Sequence, residues 1–289
     1  MRPADRLLPV VFTLAAVVLA VAAGVYLWDL YMDSPWTRDG RVRADVIQVA
    51  PDVAGAVVEL HVTDNQRVAR GDLLFVVDRA RYVLAVERAE ATVAALEEQA
   101  AQRRREAERR TRLGTSAITV ESREQAESAA VQAGASLRQA QADLDVARLN
   151  LARTEVRAPV NGHVTNLHLN LGDYVAAGRP AFAIVDSDSY YVVGYFEETK
   201  IPRIHAGDAV SIRLMGRDAA IGGHVAGIAR AIVDRDATDG GDLIANVNPT
   251  FSWVRLAQRI PVRITLDPLP ADMVLSAGMT ATVVVEETE

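Results

Sequence analysis

One pattern occurs twice in this chain and limits what it can fold into. The first copy runs Pro51-Asp52-Val53-Ala54-Gly55-Ala56-Val57-Val58, then Asp64-Asn65, Val68 and Gly71-Asp72, and closes on Phe75-Val76-Val77-Asp78. The second runs Pro159-Val160-Asn161-Gly162-His163-Val164, then Leu171-Gly172-Asp173, Val175 and Gly178, and closes on Phe182-Ala183-Ile184-Val185-Asp186. A valine two residues after the first glycine, a turn pair nine and ten on, a valine thirteen on and a second glycine sixteen on keep the same offsets in both. Short apolar runs between turn signals read as strands. Each copy offers about four of them, too few to bury a face alone, so the two are expected to pack on each other as a small sandwich. Gly55, Gly71, Gly162 and Gly178 read as turn glycines, needed where a side chain would not fit. Asp72, Asp78, Asp173 and Asp186 recur near matching positions and read as turn caps rather than acid/base groups.

The stretch between the copies has a different period. Ala126, Ala133, Ala140 and Ala147 form one seven-residue row, with Ala130, Leu137, Leu144 and Leu151 on the same seam. Val86, Val93, Ala100 and Ala107 match them beside Ala89 and Leu96, after which Arg103 and Arg110 take the seam positions. Gly114-Thr115-Ser116 marks a reversal and Thr119 an N-cap. The pattern predicts an antiparallel coiled-coil hairpin about 50 Å long. Arg103 and Arg110 in a seam row, and Leu113 and Ile118 at an exposed turn, are most simply explained by a partner that covers the tip, although Arg103, Arg104, Arg105, Arg109, Arg110 and Arg112 also fit an ordinary solvated surface.

Leu7 to Trp28 carries no charge, and a helix over it spans ~33 Å, enough for a hydrocarbon core. Arg2 and Arg6 precede it while Asp29 and Asp33 follow, which orients the remainder of the chain outside the cytoplasm. Tyr26, Trp28, Tyr31 and Trp36 suit an interfacial belt. A cleaved signal peptide ending near Ala20-Val21-Ala22 is the alternative. Residues 34–50 turn from a loop into an alternating strand. After Val185, five β-rich runs (Tyr190–Phe196, Ala209–Leu214, His224–Ile232, Arg259–Leu266, Met279–Val285) favour a small antiparallel barrel. Glu197–His205 reads as a short helix and Ala237–Thr250 as a long loop.

Composition removes several function classes. Net charge is −7 and the pI about 5.4, against a nucleic-acid grip. No cysteine is present, so there is no thiol nucleophile and no thiolate metal site. A split half-motif of this kind is what lipoyl and biotinyl carrier domains show, but those load a lysine at the turn joining the halves. Here the hairpin replaces that turn and the first lysine is Lys200, so a carrier role is excluded and no cofactor is expected. His163 and His168, read as lying on one strand, point to opposite faces, and His61, His205 and His224 stand singly, so no metal site is expected. No phosphate loop, nucleophile elbow or zinc-protease motif occurs, and no enzyme is proposed.

The chain resembles the membrane fusion proteins, or periplasmic adaptors, of the HlyD- and EmrA-like type. The residues that carry this are Ser34-Pro35-Trp36-Thr37-Arg38-Asp39, Ala44-Asp45-Val46, Ala50-Pro51-Asp52-Val53, Arg112-Leu113-Gly114, Arg157-Ala158-Pro159, Val164-Thr165-Asn166-Leu167, Glu197-Glu198-Thr199-Lys200 and Trp253-Val254-Arg255-Leu256-Ala257-Gln258-Arg259-Ile260-Pro261-Val262-Arg263-Ile264. These look like the aromatic-acid branch of the family, the adaptors of p-hydroxybenzoic acid efflux pumps. The last run is the specific one, with Trp253, Arg255, Gln258, Arg259, Pro261 and Arg263 as its marked residues.

The implied fold is mixed α and β and multidomain. A transmembrane anchor (1–33) leads through a linker and strand joining the barrel (34–48) to a lipoyl-like half (49–78). A hairpin (79–155, tip about 112–120), the second half (156–187) and a β-barrel with a membrane-proximal end (188–289) follow. The implied function is a non-enzymatic bridge between an inner-membrane transporter of the aromatic-acid exporter type and a TolC-like outer-membrane channel. The chain would associate with itself, commonly as a hexamer, and take no nucleic acid. The resemblance places the channel contact at the hairpin tip, on Arg105, Arg109, Arg112, Leu113 and Thr119. Family tips often carry Arg, Leu and Ser at set spacing; Arg105 and Leu113 keep the first interval, whereas Thr119 stands near the place of the serine. An adaptor for multidrug or for protein and peptide secretion remains open, as does, more remotely, an envelope scaffold.

Overall fold

The computed structural model describes residues 4–28, 34–113, 119–217, 219–232, 237–239, 245–247, 257–270 and 273–286, with the backbone alone over 4–11, 26–28, 237–239 and 245–247. It divides into two compact units, residues 46–188 and residues 1–45 with 189–289.

In the first unit the doubled motif forms two four-stranded sheets. The strands are β2 (Val46–Val49), β3 (Gly55–Leu60), β4 (Arg67–Val68) and β5 (Leu73–Val77) from the first copy. From the second come β6 (Glu155–Arg157), β7 (Gly162–Thr165), β8 (Tyr174–Val175) and β9 (Phe182–Asp186). The sheets run β2-β9-β7-β4 and β6-β5-β3-β8. The copies therefore do not stack as two separate halves, as the sequence suggests; each lends strands to the other's sheet. Gly55 pairs with Val175, and Gly162 with Val68. Outside the ladders the exchange repeats: Gly71 N–H donates to Ala158 O and Gly178 N–H to Pro51 O, both at 2.8 Å. Isolated halves would leave these polar groups and one apolar face in water, so interlocking is the lower-energy solution. Phe75 and Phe182, equivalent in the two copies, meet edge to face at 6.0 Å in a core with Val57, Leu74, Val164 and Ile184.

The four glycines serve two purposes rather than one. Gly71 (φ 95°) and Gly178 (φ 73°) are turn residues in left-handed conformation. Gly55 and Gly162 open strands instead of turns. A Cβ on Gly55 would lie 2.6 Å from Val77 Cγ1, and one on Gly162 only 2.2 Å from Val185 O. The repeated aspartates cap as expected. Asp72 and Asp173 each accept from the backbone N–H three residues earlier at 2.8 Å, and Asp78 and Asp186 from the N–H two residues later.

Two long helices rise from this unit, α2 (Ala80–Leu113) and α3 (Val120–Ala152). Ala100 and Ala107 of α2 and Ala126, Ala140 and Leu144 of α3 are buried between them, the small seam that lets two backbones approach closely.

The second unit is a closed antiparallel barrel in the order β1-β10-β15-β12-β11-β16. Its strands are β1 (Trp36–Arg43), β10 (Tyr191–Glu197), β11 (Ala209–Leu214), β12 (Ala220–Ile228), β15 (Arg259–Leu266) and β16 (Thr280–Val285). Three sequence expectations are corrected here. The alternating stretch after residue 34 is two strands in two units, β1 and β2, and β1 is the sixth stave that closes the barrel against β10 and β16. The run expected at His224–Ile232 is the strand Ala220–Ile228: a Cβ at 223 would meet Thr265 O at 2.4 Å, so glycine is what permits β15 to pair there. Within Ala237–Thr250, β13 (Ala237–Asp239) and β14 (Ala245–Val247) pair antiparallel; three-residue strands carry too little alternation to be read. A 3₁₀ helix, Glu198–Arg203, follows β10. Val42, Val192, Phe196, Ile212, Ile264 and Val283 fill the barrel.

Helix α1 (Ala4–Trp28) has 25 residues, and its described side chains, 12–25, are all exposed. Among the described residues no helix is long and apolar enough to cross a membrane. The side chains of Tyr26, Trp28 and Tyr31 lie outside the described residues. Trp36 opens β1, with Lys200 Nζ 5.0 Å over its ring.

Candidate functional site: the hairpin and its platform

The hairpin grows from the interlocked sheets through a charged clamp. Glu155, at its C-terminal root, pairs with Arg79 at the N-terminal root at 2.9 Å and with Arg157 at 2.7 Å. The bond from Arg157, reinforced by Arg79, holds the Glu155 carboxyl below the usual carboxylate value. Tyr82 Oη donates to Ala54 O at 2.8 Å, Arg153 pairs with Asp52 at 3.3 Å, and buried Thr154 accepts Val77 N–H on its carbonyl at 2.9 Å. The root is thus bonded to both motif copies, and farther out Arg148 and Glu90 bridge the helices at 2.7 Å.

At the distal end the structure explains one sequence anomaly without a partner. Arg110 is half-buried, and its guanidinium donates across the hairpin to Ser122 O (3.1 Å) and Oγ (3.0 Å) while pairing with Glu106. It takes an apolar seam position because it ties α2 to the first turn of α3; no covering protein is required. Arg103 also reaches Glu106, at 3.7 Å, and is exposed. Thr119 caps α3, accepting Ser122 N–H at 3.2 Å. The remaining tip residues are presented to solvent: Arg105, Arg109 and Arg112 are exposed, Arg112 loosely paired to Glu108, and Leu113 is 52% exposed. Gly114–Ile118 lie outside the described residues. Among the described residues the tip presents Leu113 and Val120, each about half exposed, among solvated guanidinium groups.

In the barrel, Trp253 and Arg255 lie outside the described residues. Gln258 accepts Glu198 N–H on its carbonyl at 2.9 Å. Arg259 pairs with Asp39 of β1, Pro261 stands opposite Tyr195 and accepts Ala229 N–H at 3.0 Å, and the Arg263 guanidinium lies 4.0 Å over the Tyr191 ring. This run joins β15 to β10 and β1, so part of its specificity is barrel closure. The sequence reading missed Glu155, Arg79 and Thr154 at the root; the signal available was a charged pair at the two ends of the helical insertion.

His163 is in β7 and His168 in the loop beyond it, so the two do not share a strand. Among the described residues no group of three or more His, Asp or Glu could hold a metal ion.

A sandwich split by a helical hairpin, followed by a barrel closed by the strand that precedes the sandwich, defines a class of protein. Residues 45–187 match the model of the barrel-sandwich hybrid domain of RND MFP proteins, and residues 189–286 that of the AAEA-like beta-barrel domain. The chain belongs to the membrane fusion proteins, the non-enzymatic periplasmic adaptor family of tripartite efflux pumps. Among individual proteins, YdhJ of Escherichia coli (strain K12) is 44% identical over 273 residues, covering 94% of this chain and 96% of its own length. MacA from Actinobacillus actinomycetemcomitans shares the fold at a TM-score of 0.66 and 18% identity, over 89% of this chain and 80% of its own. The membrane fusion protein Spr0693 from Streptococcus pneumoniae does so at 0.64 and 17%, over 87% and 98%.

Proposed function

We propose that this chain is the adaptor subunit that links an inner-membrane transporter to a TolC-like outer-membrane channel for export of aromatic carboxylic acids or similar small toxic compounds. The observation that carries the bridging role is the braced hairpin: a rod about 50 Å long, bonded at its root to both copies of the doubled motif. Leu113 and the arginines 105, 109 and 112 form the channel contact, with Thr119 holding the start of α3 in place. α1, which contains the uncharged stretch Leu7–Trp28, anchors the chain in the inner membrane by a single pass and leaves the bulk in the periplasm of a Gram-negative bacterium. The interlocked sheets pack side by side with those of other copies, as a hexamer. The aromatic-acid assignment is supported by the barrel run 253–264 and by the match to an AAEA-like barrel over residues 189–286.

A strain lacking the chain, challenged with aromatic carboxylic acids, tests this reading. Sensitivity restored by the wild-type chain and not by Leu113→Asp, at equal abundance, is the expected result. Unchanged tolerance to aromatic acids with sensitivity to peptides or to a broad set of drugs would move the assignment to a secretion or multidrug adaptor.

A further inference from the structure

The outer face of the barrel carries a concavity to which the bridging reading gives no role. It lies over β1, β10 and β15 and has a volume of about 1260 Å3. The strand register sets its floor: Arg43 of β1 stands beside Tyr191 of β10, and Tyr195 of β10 beside Pro261 of β15. Among the described residues, Arg41, Arg43 and Arg259 line it with a single carboxylate, Asp39. In a chain of net charge −7 this is a local excess of positive charge.

The partners of these groups leave specific valences open. Asp39 is taken by Arg259, and Arg41 is only 3.8 Å from it and half exposed. Arg43 donates to Tyr195 Oη at 3.2 Å, so that oxygen accepts and its own proton is left for another acceptor. Arg263 stacks on Tyr191 at 4.0 Å, which turns its guanidinium to the aromatic ring rather than to a carboxylate. Two guanidinium groups and a phenolic O–H around one hollow suit a carboxylate, which accepts forked donors. Ala231, Ile232, Ala257 and Ala277 give part of the remaining wall an apolar surface, with Gln258 as a polar residue beside them. An inorganic ion would leave that wall in contact with water, whereas the ring of an organic anion would cover it. A protein face would have to be convex and acidic to enter the same hollow.

We propose that this concavity binds a planar organic anion, an aromatic monocarboxylate or its close chemical kin, with Arg41 and Arg43 holding the carboxylate and Tyr191 and Tyr195 bordering the ring. That the bound molecule is also the transported one rests on the export reading above; the binding itself does not.

The test is calorimetric titration of the full chain in detergent with benzoate, using benzyl alcohol, acetate and inorganic phosphate as comparison probes. Saturable 1:1 binding of benzoate is expected, weakened by salt and at least about tenfold tighter than that of the other three. The double variant Arg41→Ala/Arg43→Ala should weaken benzoate about tenfold or more, and Tyr195→Phe several-fold, both with unaltered thermal unfolding because these side chains reach solvent. Equal affinity for phosphate or acetate, wild-type affinity in the double variant, or no saturable benzoate binding would overturn the subsite. If benzoate is silent while the double variant loses a co-purifying protein, the hollow is a protein contact and the proposal is wrong. Benzoate binding of the expected kind in a chain whose loss leaves tolerance to aromatic acids unchanged would refute the export reading and leave the subsite standing.

Discussion

Replacing Gly162 by alanine should be far more damaging than replacing Gly71, although both glycines sit at fixed places in the same repeat. Gly162 opens β7, which is hydrogen-bonded on one side to β4 and on the other to β9. A Cβ there would lie 2.2 Å from Val185 O and 2.7 Å from Ile184 Cγ2, roughly 1 Å inside an acceptable contact with a backbone atom that cannot rotate away. β7 must withdraw from β9, and β4 must follow it. The upper end of the usual overpacking cost applies, about 3 kcal/mol. Gly55→Ala meets Val77 Cγ1 at 2.6 Å, a side chain that can turn, so its cost should be about 1–2 kcal/mol. At Gly71 and Gly178 a Cβ meets nothing within 4 Å and only the positive φ is strained, about 1 kcal/mol each. Scanning calorimetry of the full chain in detergent should therefore give melting points lowered by roughly 6–12 °C for Gly162→Ala, less for Gly55→Ala, and roughly 2–4 °C for the two turn variants. Equal losses at Gly162 and Gly71, or a larger loss at Gly71, would refute the interlocked packing of the sheets.

The remaining predictions concern the hairpin. Arg110→Ala removes a charged donor from Ser122 and should cost about 1–2 kcal/mol, after a discount for its partial exposure, read as faster amide exchange over the first turn of α3. Thr119→Ala should cost about 1 kcal/mol through the lost cap, with the same local readout; unchanged exchange in both variants would show that the distal end is held by something else. Leu113→Asp should abolish efflux without lowering the melting point, because the side chain is half exposed in the free chain and the proposed channel contact would force the charge out of water. Glu155 has a folded pKa below its ordinary 4.5, so its contribution is present above that pH and is lost as pH falls through the depressed value. Glu155→Gln should therefore lower stability near neutrality and flatten the acid limb of the stability profile; a limb of unchanged slope would remove the root clamp from the account.

The parts of the fold that were legible in the sequence are those whose period is long. The seam of Ala126, Ala140 and Leu144 extends over several turns, and the two motif copies hold their offsets across a whole unit, so both could be read from spacing. The exchange of β4 and β8 could not, because a two-residue strand has no alternation and its partner is chosen by tertiary contact alone. The same limit kept the residues alone from showing β1 in the barrel, which only the family resemblance implied: its pairs, such as Arg43 with Tyr191, join residues far apart in the chain. Gly55 and Gly162 were readable as obligatory glycines, but whether a turn or a close neighbour demands them depends on Val77 and Val185. Arg110 shows the converse case. A charged residue in an apolar row signals something unusual, and only the geometry reveals that Ser122 and Glu106 satisfy it within the hairpin.

The bridging role itself is most directly tested by affinity purification of the tagged full chain from detergent-solubilised membranes, with the co-purifying proteins identified by mass spectrometry. Recovery of an inner-membrane transporter together with an outer-membrane channel, and loss of the channel alone from the Leu113→Asp chain, is the expected result. Clean recovery of neither partner from membranes that contain the full chain would contradict it.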